Sequence, residues 1–144
     1  MPLPVPVPGL VISYAYLWYS EYEQGRDEGE KDRPCAIILT TRNQDDETVV
    51  SVLPVTHSPP QYLDEAVELP LPVKRRLGLD EARSWVIVTE MNRFVWPGPD
   101  LRPVPADAAR FQYGLLPPGL YRTIRERFLA CARTQDLQAV PRTE

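Results

Sequence analysis

Two short segments of this chain hold side chains able to act together on a phosphate ester. Arg33-Pro34 heads the apolar run Cys35–Thr41, and Thr56-His57-Ser58 lies just past a second run, Thr48–Val55. Pro34 biases Arg33 toward an extended backbone and lacks a ladder donor, which suits the first position of a strand. Asn43, Asp45 and Asp46 supply turn chemistry between the runs. If the runs pair as a hairpin, one rim of the sheet collects a guanidinium, two hydroxyls and the chain's only imidazole. A guanidinium grips phosphoryl oxygens with a planar fork, and a hydroxyl donates to the same group. An imidazole, with an ordinary pKa of about 6.5, exchanges protons at neutral pH. The set suits phosphodiester chemistry.

The chain that must position these groups has 144 residues, 43% hydrophobic and 25% charged, which fits one soluble domain over residues 1–144. Its net charge of −4 argues against wrapping nucleic acid by bulk electrostatics, while leaving a locally basic site possible. Cys35 and Cys131 read as small buried hydrophobes, and two thiols with one histidine make no metal-ligand pattern, so neither metal nor cofactor is expected. No apolar run is long enough to cross a bilayer. Residues 1–9 alternate proline with Leu and Val and carry no positive side chain, which fits an extended lead-in rather than a signal peptide. A cytoplasmic protein without membrane partners is expected.

Leu10–Tyr19 alternates as a strand, and Ser20–Asp32 reads as an acidic, glycine-containing loop. Cys35–Thr41 and Thr48–Val55 are strands rich in β-branched residues. Ala66–Leu69 reads as a short strand. Pro72 to Leu77, stopped by Gly78, reads as a short helix. Trp85–Met91 reads as a fourth strand and Arg93–Trp96 as a fifth, followed by the breaker Pro97-Gly98-Pro99-Asp100 and a proline-rich connection over Leu101–Arg110. Leu120, Ile124 and Phe128 mark an amphipathic helix over Pro118–Arg133. About five antiparallel strands and one terminal helix predict a mainly β (α+β) fold, a small partial barrel. Residues 10–134 would form it, and Gln135–Glu144 reads as a frayed tail.

A strand, a Glu/Gly-rich loop, Arg-Pro opening an apolar strand and a second strand ending in Pro-x-Thr together resemble the MazF/PemK toxins. The resemblance spans roughly Gly9–Trp96. It implies an SH3-like barrel, a homodimer, a ribosome-independent endoribonuclease activity on single-stranded RNA, and a small antitoxin partner whose disordered tail occupies the RNA groove. It also implies catalytic roles for Arg33 and Thr56. The chain departs from the family in places: Val7-Pro8-Gly9-Leu10 replaces the usual Arg-Gly-acid opening. Glu90-Met91-Asn92-Arg93 keeps the acid and arginine of the fourth strand without its glutamine, and His57 stands where a small residue is usual.

Metal-free RNA scission drives the 2′-hydroxyl onto its neighbouring phosphorus, leaving a 2′,3′-cyclic phosphate and a 5′-hydroxyl. It needs a proton acceptor, donors for the crowded phosphoryl oxygens and an acid for the leaving oxygen. Arg33 and Thr56 would hold the phosphoryl group, and His57 or Glu90 would handle the proton. Ser58 and Arg93 would add phosphate contacts, Trp96 would stack on an unpaired base, and Lys74-Arg75-Arg76 would touch the RNA backbone. Each has a plainer alternative. Arg33 can pair with Glu30 or Asp32, Thr56 can close a hydroxyl turn, and His57 can be a structural or surface residue. Glu90 and Arg93 can form a solvated ion pair, and the basic triplet can be a solvated helix face. Tyr14, Tyr16 and Trp18 read as core or dimer interface. A catalytically inactive barrel serving as a protein-binding module is the alternative function.

Overall fold

In a computed structural model, which describes residues 3–26, 29, 31–134 and 137–142, the two β-branched runs pair antiparallel as β2 (Arg33–Arg42) and β3 (Thr48–Thr56). Their turn is closed by Asn43, whose side-chain oxygen accepts the Asp45 and Glu47 N–H groups at 3.0 Å each. β1 (Leu10–Tyr14) lies antiparallel on the far side of β2. Beyond the hairpin come β4 (Ala66–Glu68), β5 (Trp85–Ile87), β6 (Glu90–Val95), β7 (Gln112–Leu115) and β8 (Gln138–Pro141). The eight strands make one sheet in the order β4-β5-β3-β2-β1-β7, with β6 as a further partner of β3 and β8 parallel to β6. Among the described residues three α-helices accompany it, α1 (Tyr19–Glu23), α2 (Leu71–Leu77) and α3 (Pro118–Arg133), with a 3-10 turn over Leu63–Glu65. The class is mainly antiparallel β with a few helices.

Both faces of the central strands are covered, which is why β2 reads as an unbroken apolar run rather than an alternating one. Cys35 and Ile37 point into a cluster with Ile12, Tyr14, Tyr16, Val52 and Phe94. Ala36 and Ile38 point the other way, into a cluster with Val11, Leu53 and Val86 that α3 covers with Ile124 and Phe128. Each fully buried aliphatic side chain of this kind contributes about 1.5–3 kcal/mol. Tyr121 of α3 also donates its hydroxyl to the Ile38 carbonyl at 3.0 Å, tying the helix to the strand that carries Arg33. The rim bearing Arg33 and Thr56 is therefore clamped between two cores.

Several sequence expectations are corrected. The sheet has eight strands rather than about five, and among the described residues no pairing joins β4 to β7 at its two ends. The first strand stops at Tyr14 instead of Tyr19, and α1 begins at Tyr19, where the Glu21 carboxylate accepts the Trp18 N–H at 3.2 Å, and runs into the expected loop. β7 arises within the segment after the proline-rich connection and pairs with β1. The expected frayed tail contains β8, whose Val140 is fully buried; residues 135, 136, 143 and 144 lie outside the described set. Arg142 secures that strand. It donates to the Ala15 carbonyl at 2.9 Å, Asn92 Oδ1 at 3.0 Å and Asp100 Oδ2 at 2.8 Å. No described helix is long and apolar enough to cross a membrane.

Candidate functional site

Hairpin register brings the first pair of site residues together. Cys35 opposes Pro54, so continuing that antiparallel ladder by two positions sets Arg33 opposite Thr56. Neither proline needs a ladder donor at this frayed end of the pairing. The Arg33 guanidinium lies over the indole of Trp18, 4.9 Å from the ring centroid, and its Nη1 makes a long contact of 3.4 Å to the Val55 carbonyl. Its Nε is buried and, among the described residues, has no hydrogen-bond partner. Asp32, one expected partner of Arg33, instead faces Arg102 at 3.6 Å; Glu30, the other, lies outside the described residues. Thr56 Oγ1 accepts the Ser58 N–H at 3.1 Å in a hydroxyl turn, which leaves the hydroxyl hydrogen available to a ligand.

The second part of the site is built by α2 and its stop. Gly78 takes φ +75°, the left-handed conformation glycine adopts without a Cβ penalty. The Leu79 N–H then bonds the Lys74 carbonyl at 2.9 Å, and the chain doubles back to place Asp80 beside the Lys74 side chain. Lys74 is 2% exposed and donates to Asp80 Oδ1 at 2.8 Å, to Ser84 Oγ at 2.6 Å and to the Ala82 carbonyl. Asp80 in turn meets His57 Nε2 through Oδ2 at 2.8 Å and Oδ1 at 3.1 Å. The Lys74 ammonium, followed by the His57 contact, holds the Asp80 carboxyl below the usual range despite partial desolvation.

These residues line one open cleft of about 660 Å³. Of the sequence-predicted set, it brings together Arg33, Thr56, His57, Ser58 and Lys74. Lys31, Arg33 and Arg110 face the cleft with no ion pair among the described residues, whereas Asp80 is tied to Lys74 and Asp32 to Arg102. The local balance is positive in a chain whose total is −4.

The other expected residues are elsewhere. Glu90 accepts the Tyr16 hydroxyl at 3.0 Å and the Tyr19 N–H at 2.9 Å with one oxygen, and burial pushes its carboxyl up; it buttresses α1 and does not line the cleft. Arg93 is exposed on β6 between Ser51 and Pro141, outside the cleft lining. Trp96 is half-buried against Phe94, with ring centroids 6.2 Å apart. The basic triplet splits because successive helical residues point about 100° apart. Lys74 turns inward, Arg75 pairs with Glu81 at 2.7 Å, and Arg76 donates to the Leu115 carbonyl at 3.1 Å.

Sequence reasoning missed Trp18, Lys31, Asp80, Arg110 and Tyr113 of the cleft. Asp80 carried a usable signal, since a Gly78 helix stop returns the next residues to the last turn of α2. Trp18 carried none, because its alternation with Tyr14 and Tyr16 reads as core. The chain matches no protein-family model and no curated protein sequence.

Proposed function

We propose that this chain is a MazF/PemK-like, metal-independent endoribonuclease that cleaves single-stranded RNA by 2′-hydroxyl attack on the adjacent phosphodiester. The observation that carries the reading is the convergence of Arg33 and Thr56 just past the last rung of the β2–β3 hairpin, in the lining of an electropositive cleft. Arg33 would hold two phosphoryl oxygens through its fork, and Thr56 would donate its hydroxyl hydrogen to the same group. His57, one residue further along, would take the 2′-hydroxyl proton. Lys31 and Arg110, which make no ion pair among the described residues, suit flanking phosphates, which a single strand presents in succession. The proposal extends to an SH3-like barrel for the central strands, a homodimer working in the cytoplasm, and an antitoxin partner that covers the cleft.

Incubation of the purified protein with an unstructured RNA in EDTA tests the reading. Fragments with 2′,3′-cyclic phosphate and 5′-hydroxyl ends are expected, and both Arg33→Ala and Thr56→Val should lose at least about 10²-fold in rate. Fragments with 5′-phosphate ends, or unchanged rates in both variants, would overturn it.

A further inference from the structure

We propose that His57 and Asp80 form a proton-transfer pair, in which Asp80 positions the imidazole with Nε2–H on its carboxylate and leaves Nδ1 as the base that takes the 2′-hydroxyl proton. This rests on the nuclease reading and assigns a role within the same cleft. An ionised carboxylate only accepts, so Nε2 at 2.8 Å from Oδ2 carries a proton, and in the neutral ring Nδ1 then keeps its lone pair. Asp80 is itself fixed from the interior. Lys74, 2% exposed and saturated by Asp80, Ser84 and the Ala82 carbonyl, anchors one carboxylate oxygen while both meet the ring. A half-exposed aspartate would otherwise sample several rotamers; here a buried cation limits it to one. The same logic orients the histidine of hydrolase triads, with the two ring nitrogens exchanged.

As the 2′-oxygen to phosphorus bond forms, the 2′-hydroxyl proton moves to His57 Nδ1, and the imidazolium is stabilised by Asp80. The bond from phosphorus to the 5′-oxygen breaks with its electron pair on that oxygen, which takes a proton from water. The resulting hydroxide recovers the proton from His57, so no water is consumed overall. The other charged and titratable groups facing this step are Lys31, Asp32 and Arg33 from the segment entering β2, and Arg110 and Tyr113 from the segment around β7.

Asp80→Asn is the discriminating variant, because its side-chain oxygen still accepts from Lys74. Its amide N–H₂ can donate to Nε2 and impose the opposite tautomer. The expected result is a loss of about 10²-fold in kcat, an acidic limb of the pH–rate profile displaced to lower pH, and an unchanged KM for RNA. Asp80→Glu should recover most of the rate. Independently of cleavage, ¹⁵N shifts of the His57 ring should report the Nε2–H tautomer in the wild type and its loss in Asp80→Asn. A wild-type rate and profile in Asp80→Asn, or an Nδ1–H tautomer in the wild type, would overturn the pairing. The expected tautomer in a wild-type protein that cleaves no RNA would sink the nuclease reading and this proton-transfer role with it.

Discussion

Arg33→Met separates function from stability at the residue on which the functional reading leans hardest. Methionine keeps an unbranched side chain of similar reach against Trp18 and removes the guanidinium. Little native bonding goes with that group. The hydrogen bond to the Val55 carbonyl, at 3.4 Å, lies at the outer limit of such bonds, and the stacking on Trp18 is worth about 0.5–2 kcal/mol. Against this stand a sulfur–aromatic contact of about 0.3–1.5 kcal/mol and relief of the buried Nε, which has no partner among the described residues and whose desolvation costs about 1–3 kcal/mol. The ranges centre about 1.5 kcal/mol on the stabilising side, equivalent to a Tm gain of roughly 3–6 °C for a chain of 144 residues. RNA cleavage should meanwhile fall about 10²–10³-fold, the loss typical of removing a transition-state donor. Calorimetry and a single-turnover cleavage assay on the same preparation measure both. A Tm depressed by more than about 10 °C, or a rate within threefold of wild type, would show that Arg33 is retained as a structural residue.

Glu90→Gln should stabilise the protein at neutral pH. Burial raises the folded-state pKa, so the native state binds the extra proton between about pH 4.3 and that raised value, and stability falls as pH climbs through this window. Glutamine keeps an oxygen for Tyr16 and Tyr19 without the charge; a Tm gain at pH 7 that vanishes below about pH 4 checks the sign. Arg142→Ala strips a buried cation from Asp100 and Asn92 and should cost about 3–5 kcal/mol by denaturant unfolding; a loss under about 1 kcal/mol would mean that Val140 and the pairing with β6 hold β8 without the arginine. The double variant Lys31→Ala/Arg110→Ala should weaken RNA binding and flatten its log K against log salt slope by about 1.4, with unfolding unchanged; an unaltered slope removes both residues from the phosphate path.

What the chain revealed in advance was whatever depends on neighbours in sequence. Pro118 at the start of α3, the Ile124–Phe128 stripe and the β-branched runs of β2 and β3 each carry a local pattern, and the structure places those elements where the pattern does. The same patterns set Arg33 and Thr56-His57 at one end of the hairpin, while a bulge between Ile37 and Leu39, which left no mark in the sequence, sets Thr56 rather than His57 opposite Arg33. Side chains whose positions depend on elements meeting in space were illegible. β8 is four residues long and parallel to a strand more than forty positions earlier, which leaves no local trace. Lys74 stands in a Lys-Arg-Arg triplet that reads as solvated, yet the helix turns that one residue inward to Ser84 and the Ala82 carbonyl. Trp18 completes an aromatic alternation that looks like core until α1 begins beside it and the indole becomes the floor beneath Arg33.

The electrostatics of the cleft follow from the same distinction between composition and placement. A net charge of −4 suggests a protein that repels polyanions, but the two acids that line the cleft, Asp32 and Asp80, are themselves paired with cations. Glu68 holds Arg83, Glu81 holds Arg75, Asp100 holds Arg142, Asp32 faces Arg102, and Asp80 is neutralised by a buried lysine. Charges on the far surface are screened over about 8–10 Å at physiological salt, so an approaching phosphate responds to the nearest uncompensated groups. Among the described residues those are Arg33, Lys31 and Arg110. Moving one acid changes this more than changing the total. Thr56→Glu, which adds a single negative charge opposite Arg33, should suppress RNA binding more strongly than Glu substitutions at exposed Arg122 and Arg125 on α3, which lower the net charge further. Equal effects of the two variants in a binding titration at fixed salt would mean that total charge governs association, and the local reading of the cleft would fail.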